Sequence, residues 1–474
     1  MLSRSSVVQC FIFFISFNIM GVHAQTGAGP SVSGPASVSS GSRFTLTLEN
    51  PDPASPFTSK ELQIRAPVEA DFSTITTLDA SISTYELSID APGEHEFRLR
   101  FLGTVHDFQI FTDWGNVHVV DIKGEEVLSV NSLGEQGDDD SFFPAISPDG
   151  LTAAFVTTAL NLDPSVTPPP VSDNRYVHIG VRDRINNRTF YANENSDGSF
   201  HQAESVQPAF SPDGRFLVYM SRDGVTMRDL ITKDFSILTP GLNVREFEYS
   251  DDGRYLAMLD EGISFYDFQT GRAFDILPPG FDGNRIPRNA LMDNVSVSSN
   301  GRFVVFETNA SNVVPGDTAE RTMDVFLLDR ATNRYTLISR SYTSLTPTGG
   351  RFPQMSADGS KIVFSSSSSN IVLGDNNGLA DVFMFDRTTL EMTRITNDGG
   401  TEPTMDAEGR RISYLNNGDH FVYDRATQNR SFVVNGLSAV TALARPAMSR
   451  DGRFLLTQKG SFSGDQIVLG AIPQ

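Results

Sequence analysis

Ala209-Phe210-Ser211-Pro212-Asp213-Gly214-Arg215-Phe216-Leu217-Val218-Tyr219 joins two apolar runs through a tight-turn signal. Pro presets φ at about −65°, Asp hydrogen-bonds its own backbone and Gly accepts positive φ, which together make a β-hairpin turn. The phrase returns as Ser147-Pro148-Asp149-Gly150, Ser250-Asp251-Asp252-Gly253, Ser298-Ser299-Asn300-Gly301, Ser356-Ala357-Asp358-Gly359, Asp406-Ala407-Glu408-Gly409 and Ser449-Arg450-Asp451-Gly452. One such turn says little. Seven in register, roughly 40–60 residues apart, are the mark of a repeat architecture.

Each turn leads into a near-continuous apolar run, such as Arg302-Phe303-Val304-Val305-Phe306 or Lys361-Ile362-Val363-Phe364. Strict alternation would leave one face wet, whereas a continuous run predicts a strand covered on both faces. A third strand follows, clearest in Asp324-Val325-Phe326-Leu327-Leu328-Asp329 and Asp381-Val382-Phe383-Met384-Phe385-Asp386, then a polar turn and a fourth. Four antiparallel strands per unit, packed against both neighbours, describe the blade of a β-propeller.

In this form the unit resembles the TolB-type propeller repeat over about 116–472, roughly three quarters of the chain. The resemblance implies an all-β propeller. It implies no single function, because the same repeat occurs in interaction modules, in regulatory propellers of peptidases and in some polysaccharide lyases. Residues 117–130 read as the outer half of a blade that lacks its hairpin, and the last hairpin, at Asp451-Gly452, lacks a clear fourth strand. Joining the two closes seven blades and hides the exposed edges. Eight third-strand candidates against seven hairpins leave six or eight blades as alternatives.

The first 24 residues have another texture: Arg4, an apolar run over 7–19 and Val22-His23-Ala24 predict a cleaved secretory signal, hence a periplasmic or secreted protein. Cys10, the single cysteine, falls inside it, so the exported chain would carry no disulfide. Between signal and propeller, 25–112 alternates apolar and polar residues at period two, as in Phe44-Thr45-Leu46-Thr47-Leu48, and predicts a small β-sandwich. Pro92-Gly93-Glu94-His95-Glu96-Phe97 resembles the turn before a late strand of immunoglobulin-like domains. The expected domains are therefore 1–24, 25–112 and 113–474. A net charge of −21 argues against nucleic acid and anionic membrane surfaces as partners, and no later stretch is long enough to be a spanning helix.

The chain contains no His-Glu-x-x-His, no Gly-x-Ser-x-Gly and no phosphate-loop motif. Lyases resembling this fold use histidine-lined metal sites, but here His178 and His420 (like His118) fall in third strands away from the channel, and His201 lies between units. A non-enzymatic role is expected ahead of an enzymatic one. Asp375, Asn377 and Asp381, spaced around Gly378, resemble the start of a Ca²⁺ loop, and turn capping by the same side chains is the plainer expectation. No other cofactor is expected.

Topology suggests where a partner would bind. The repeated turns join strands one and two, so they share one face, and the long connections at 160–175, 308–322, 366–380, 193–205 and 278–289 share the other. A rigid ring usually works through its elaborated loops. Residues just ahead of the innermost strands, Phe143, Gln207, Glu246, Asn294, Phe352, Glu402 and Arg445, are expected to ring the channel mouth on that looped face. Two aromatics, two acids, two amides and one Arg suit a protein or peptide partner. The alternative is a carbohydrate-binding or polysaccharide-lyase-like propeller, possible with Ca²⁺. Trp114, the one tryptophan, counts against a sugar platform.

Overall fold

The seven turns fold alike because the quoted residues satisfy one another locally. Ser211 Oγ donates to Asp213 Oδ1 at 2.5 Å and accepts the Phe216 N–H at 2.9 Å, while Arg215 N–H reaches Asp213 Oδ1 at 3.1 Å. Gly214 takes φ 71°. The same bonds recur at Ser147, Ser250, Ser298, Ser356 and Ser449, with Asn300 replacing Asp in one copy. In the copy lacking Ser, Asp406 accepts the Arg410 N–H at 2.7 Å.

The computed structural model describes residues 31–33, 37–39, 43–49, 57–65, 72–79, 81–88, 93–105, 108–111, 118–123, 125–170, 177–195, 197–204, 207–287, 290–316, 322–435, 445–461 and 464–472. The expected signal over 1–24, His106 and Trp114 lie outside them. Among the described residues every regular element is a strand, and seven four-stranded antiparallel sheets follow one another. The first runs Ser141–Ile146, Thr152–Thr157, His178–Asp183, Arg188–Tyr191 from inside outward. The second is Ala209–Phe210, Phe216–Ser221, Gly224–Asp229, Phe235–Pro240, and the third is Glu246–Tyr249, Tyr255–Leu259, Ile263–Asp267, Arg272–Asp275. The fourth is Met292–Val297, Phe303–Thr308, Asp324–Asp329, Arg334–Leu337, and the fifth Arg351–Met355, Lys361–Ser366, Asp381–Asp386, Glu391–Arg394. The sixth is Thr401–Met405, Arg411–Asn416, Asp419–Asp424, Asn429–Asn435.

The seventh sheet is assembled from both ends of this stretch. Ala447–Met448, Phe454–Ser461 and Gly464–Ala471 supply three strands, and Glu125–Val127 adds the outermost, with Glu125 opposite Gly470. Innermost strands adjoin in chain order, and that of the seventh sheet adjoins that of the first. This is a propeller. The reading of 117–130 as two outer strands needs one correction. His118–Lys123 joins an N-terminal sheet, because Gly464–Ala471 already pairs along the whole of Phe454–Ser461 and leaves no third place to fill.

Apolar layers lie between all neighbouring sheets, which explains the continuous runs. Leu217 and Tyr219 face the first sheet, while Val218 and Met220 face the third. Between seventh and first sheets, Leu128, Phe454, Leu456, Ile467 and Leu469 meet Ala153, Phe155 and Tyr191. At the repeated turns, backbone bonds tie sheet to sheet: Ser299 N–H to Ala357 O (2.6 Å), Ala357 N–H to Ala407 O (2.8 Å), Ala407 N–H to Arg450 O (3.0 Å) and Arg450 N–H to Pro148 O (3.2 Å). Pro148 and Pro212 have no N–H to extend this belt.

The N-terminal strands form two further sheets, one of Ser31–Ser33, Arg43–Glu49 and Thr84–Ser88. The other is ordered Ser37–Ser39, His118–Lys123, Gly93–Val105, Phe57–Arg65, Ser73–Asp79, with Phe108–Phe111 pairing Gly93–Val105. Leu46 and Leu48 are buried between exposed Thr45, Thr47 and Glu49, the alternation the sequence predicts.

Candidate functional site

The innermost strands line a central cavity of about 270 Å³. Four of them carry a register shift at the same place, between Phe142 and Ala145, Asp293 and Ser296, Arg351 and Gln354, and Thr401 and Thr404. Inside each shift a non-glycine residue has positive φ: Phe143 (52°), Asn294 (56°), Phe352 (55°) and Glu402 (50°). Left-handed backbone is rare for residues with a Cβ and costly for bulky ones, so its repetition at one position marks a constrained feature. Pro follows three of them, where a missing N–H does no harm in a bulged strand.

Arg445 is the hub. Its Nη1 lies 3.6 Å from Glu246 Oε1, and its guanidinium is 5.9 Å from the Phe352 ring centre. Burial pushes the Glu246 and Glu402 carboxyls above their ordinary range, and the charge of Arg445 opposes that rise in both. Asn294 and Phe352 meet at Glu307, a fully buried carboxylate of the fourth sheet. It accepts Asn294 Nδ2 at 2.8 Å, Arg351 Nε at 2.8 Å and the Phe352 N–H at 2.6 Å. Deeper in the channel wall, Glu248 Oε1 accepts Ser296 Oγ (2.9 Å) and Val297 N–H (3.1 Å), and burial pushes its carboxyl up to about 8. At the end bearing the repeated turns, Arg450 and Asp251 form an ion pair at 2.9 Å.

Glu246, Asn294, Phe352, Glu402 and Arg445 are thus brought into one network, and Gln207, Glu246 and Arg445 line the cavity itself. Gln207 Nε2 donates to Pro144 O at 2.5 Å, bridging the first two sheets. Phe143 packs instead against the apolar layer between those sheets, edge-on to Phe142 at 5.3 Å. Sequence reasoning missed Glu248 and Glu307. The alternation Glu246-Phe247-Glu248-Tyr249 puts both acids on one strand face and could have revealed the first. An acid closing the run Phe303-Val304-Val305-Phe306 was the available signal for the second.

The loop expected as a Ca²⁺ candidate is organised around a guanidinium. Arg394 Nη2 lies 2.7 Å from Asp381 Oδ2 and 3.3 Å from Asp375 Oδ1. Asn377 Nδ2, Thr396 Oγ1 and the Gly399 N–H also donate to Asp381, at 2.9, 2.8 and 3.2 Å. Among the described residues no group of three or more His, Cys, Asp or Glu side chains is placed to hold a metal ion. His178 is buried beside Pro169 O (3.0 Å) and Asn193, His201 packs on Phe235, and His420 is buried against Thr457 Oγ1 (2.8 Å). Asn193 links the first two, its Nδ2 donating to His201 O at 2.8 Å and lying 3.3 Å from His178 Nδ1, whereas His420 lies between the sixth and seventh sheets.

No protein-family model and no curated protein matches the chain. Among solved structures it is similar to TolB from Agrobacterium tumefaciens (15% identity, 56% of this chain and 90% of that one, TM-score 0.36). It is also similar to Porphyromonas gingivalis dipeptidyl peptidase 4 (13%, 69% and 50%, TM-score 0.41) and to an ancestral GH74 enzyme (10%, 91% and 63%, TM-score 0.44). The chain spans half the length of the peptidase and less than two thirds of the GH74 enzyme. Among the described residues no helix is long and apolar enough to cross a membrane.

Proposed function

We propose that this is an exported, non-enzymatic β-propeller of seven blades, preceded by a small immunoglobulin-like β-sandwich over 25–112. It binds a protein or peptide partner through its looped face and channel mouth, in the periplasm or outside the cell. The observation that carries the reading is the network at the mouth. Arg445, Phe352, Glu246 and Glu402 converge there from four different innermost strands or their leads, held by strained backbone and by buried Glu307. Such a cluster offers charge, hydrogen bonds and an aromatic face without a nucleophile and base in hydrogen-bond reach of each other.

Capture of envelope proteins on the immobilised chain tests it, with Phe352→Ala and Arg445→Ala as paired variants. Loss of a good anchor costs about 1–3 kcal/mol, roughly five- to 150-fold in affinity. Retention by the wild type that falls in both variants, with the far-UV circular dichroism of the folded chain maintained at the assay temperature, is the expected result. Incubation with pectin, alginate and peptide libraries should give no turnover. Cleavage of any of these, removed by His→Ala at position 178, 201 or 420, would replace this reading with the lyase-like one.

A further inference from the structure

Among the described residues, single bridges close three short hairpins between sheets, Val130 to Gln136, Glu194 to Phe200 and Arg340 to Pro347. Near the tip of each, one residue has left-handed backbone. Gly134 (φ 84°) and Gly198 (φ 80°) supply it in the first two, and Leu345 (φ 58°) in the third. A second left-handed position recurs in the turn joining third and fourth strands. Asn187, Lys233, Gly271, Asn333 and Gln428 hold it in the first four sheets and the sixth, and Leu390 (φ 63°) holds it in the fifth. Left-handed backbone crowds a Cβ against the following carbonyl, so Gly and Asn tolerate it best. Both leucines are also in water, 60% and 68% exposed. Leucine thus stands at two turn positions where neither backbone conformation nor solvation favours it.

The two leucines line one cavity of about 350 Å³ at the edge of the layer between the fourth and fifth sheets. Its floor belongs to that layer, with Ile371 and Phe385 buried and Val372 and Met392 packed against them. Tyr342 and Leu373, both exposed, complete its rim. A single charged side chain, Arg340, lines it. The Arg340 guanidinium sits 6.0 Å from the Phe385 ring centre, and among the described residues no carboxylate pairs with it. Neighbouring acids are engaged elsewhere, Asp375 with Arg394, Asp386 with Lys361 and Glu391 with Thr389.

We infer that this cavity docks a segment of a protein partner that carries an aliphatic side chain beside a carboxylate. The apolar floor and the leucine rim take the aliphatic group, and docking removes both leucines from water. Arg340 takes the carboxylate, the one kind of group its surroundings do not supply. The net charge of −21 repels an acidic partner at long range. At about 0.15 M salt that repulsion fades beyond about 8 Å, so the nearest charge decides. Strained backbone that recurs at one surface site marks a place where function holds the strain. The cavity shares no lining residue with the channel, so it stands whether or not a partner binds at the channel mouth.

Methyl NMR on the whole chain tests it with three probe peptides, acetylated and amidated: Ser-Leu-Glu-Leu-Ser, Ser-Leu-Gln-Leu-Ser and Ser-Ser-Glu-Ser-Ser. The first should shift the Leu345, Leu373, Leu390 and Met392 methyls with a Kd below about 1 mM. The second should bind about fivefold more weakly, and the third about tenfold more weakly or worse. Arg340→Gln should bring the first two peptides to equal affinity. Leu345→Gly and Leu390→Asn install residues that equivalent turns of this chain already use. Each should weaken the first peptide about fivefold or more while the melting temperature holds or rises, because left-handed strain is relieved. A fall in melting temperature in both variants would show that the leucines serve the fold and would overturn the inference. No shift at about 5 mM of the first peptide, or equal binding of the first two by the wild type, also overturns it. Shifts at Met355, Met405 and Met448 instead, which line the channel, would place the peptide there and remove this site. Broadening of the cavity methyls with protein concentration alone would assign the surface to a second copy of the chain and equally overturn the inference.

Discussion

If Glu125–Val127 closes the ring, stability should depend on a segment more than 300 residues from its partner strand. Leu128, which follows that strand, is fully buried against Phe454, Leu456, Ile467 and Leu469 of the seventh sheet and Phe155 of the first. Its N–H donates to Ile467 O at 2.7 Å, and Ser129 Oγ accepts the Ile467 N–H at 3.1 Å. Val130 O then accepts Thr189 Oγ1 at 2.5 Å, and Arg184 pairs with Glu126 at 2.9 Å, so the segment passes from the seventh sheet onto the first. Leu128→Ala deletes a side chain from a layer that cannot collapse around it and should cost about 2–5 kcal/mol. That is a large share of the roughly 5–15 kcal/mol by which domains are stable. Ile82→Ala, on a residue 41% exposed, should stay within about 0.5 kcal/mol. Urea unfolding followed by far-UV circular dichroism measures both. A chain beginning at Leu133 removes the strand, Leu128 and Val130 together and should lose cooperative unfolding, whereas one beginning at Gly124 should keep it. A 133–474 chain that unfolds with the midpoint and slope of the 124–474 chain would refute the closure argument.

Two further outcomes follow from buried charges. Because Arg394 supplies the positive charge between Asp375 and Asp381, saturating Ca²⁺ should leave the melting temperature unchanged, whereas Arg394→Ala strands two buried carboxylates and should cost about 3–5 kcal/mol. A calcium-dependent rise abolished by Asp375→Ala would restore the cation loop. Burial lowers the His420 imidazole to about 4, and its ordinary value is 6.5. Below the ordinary value the unfolded chain takes up a proton that the folded chain refuses. Stability is therefore complete above about pH 6.5 and falls by about 3 kcal/mol as pH drops toward 4. Glu248, raised by burial, acts oppositely and gains stability as pH falls from about 8, so the His420 contribution is read as wild type minus His420→Gln across this window. Identical pH profiles for the two proteins would show that His420 is not the linked group.

The sequence by itself determined what lies within a few residues of itself. The Ser–Asp–Gly turn forms from side chains two to five positions apart, so seven hairpins could be located to the residue. The continuous apolar runs announced strands covered on both faces. It also named residues that the inner edge of the ring brings together, but Phe143, Glu246, Asn294, Phe352 and Glu402 lie within the innermost strands and not ahead of them, because the strands begin before the bulges. What tertiary structure decided lies where distant segments compete. His118–Lys123 and Gly464–Ala471 are both plausible third strands, and only pairing across the ring assigns the place to the second. Arg394 fills the supposed cation loop from the neighbouring strand, thirteen residues beyond Asp381 in sequence yet 2.7 Å away. Glu307 reads as an ordinary strand end until register shifts in two sheets turn Asn294 and the Phe352 N–H toward it. Local hydrogen bonds are written in adjacent letters, whereas the partners of a buried charge are chosen by the closing of the ring.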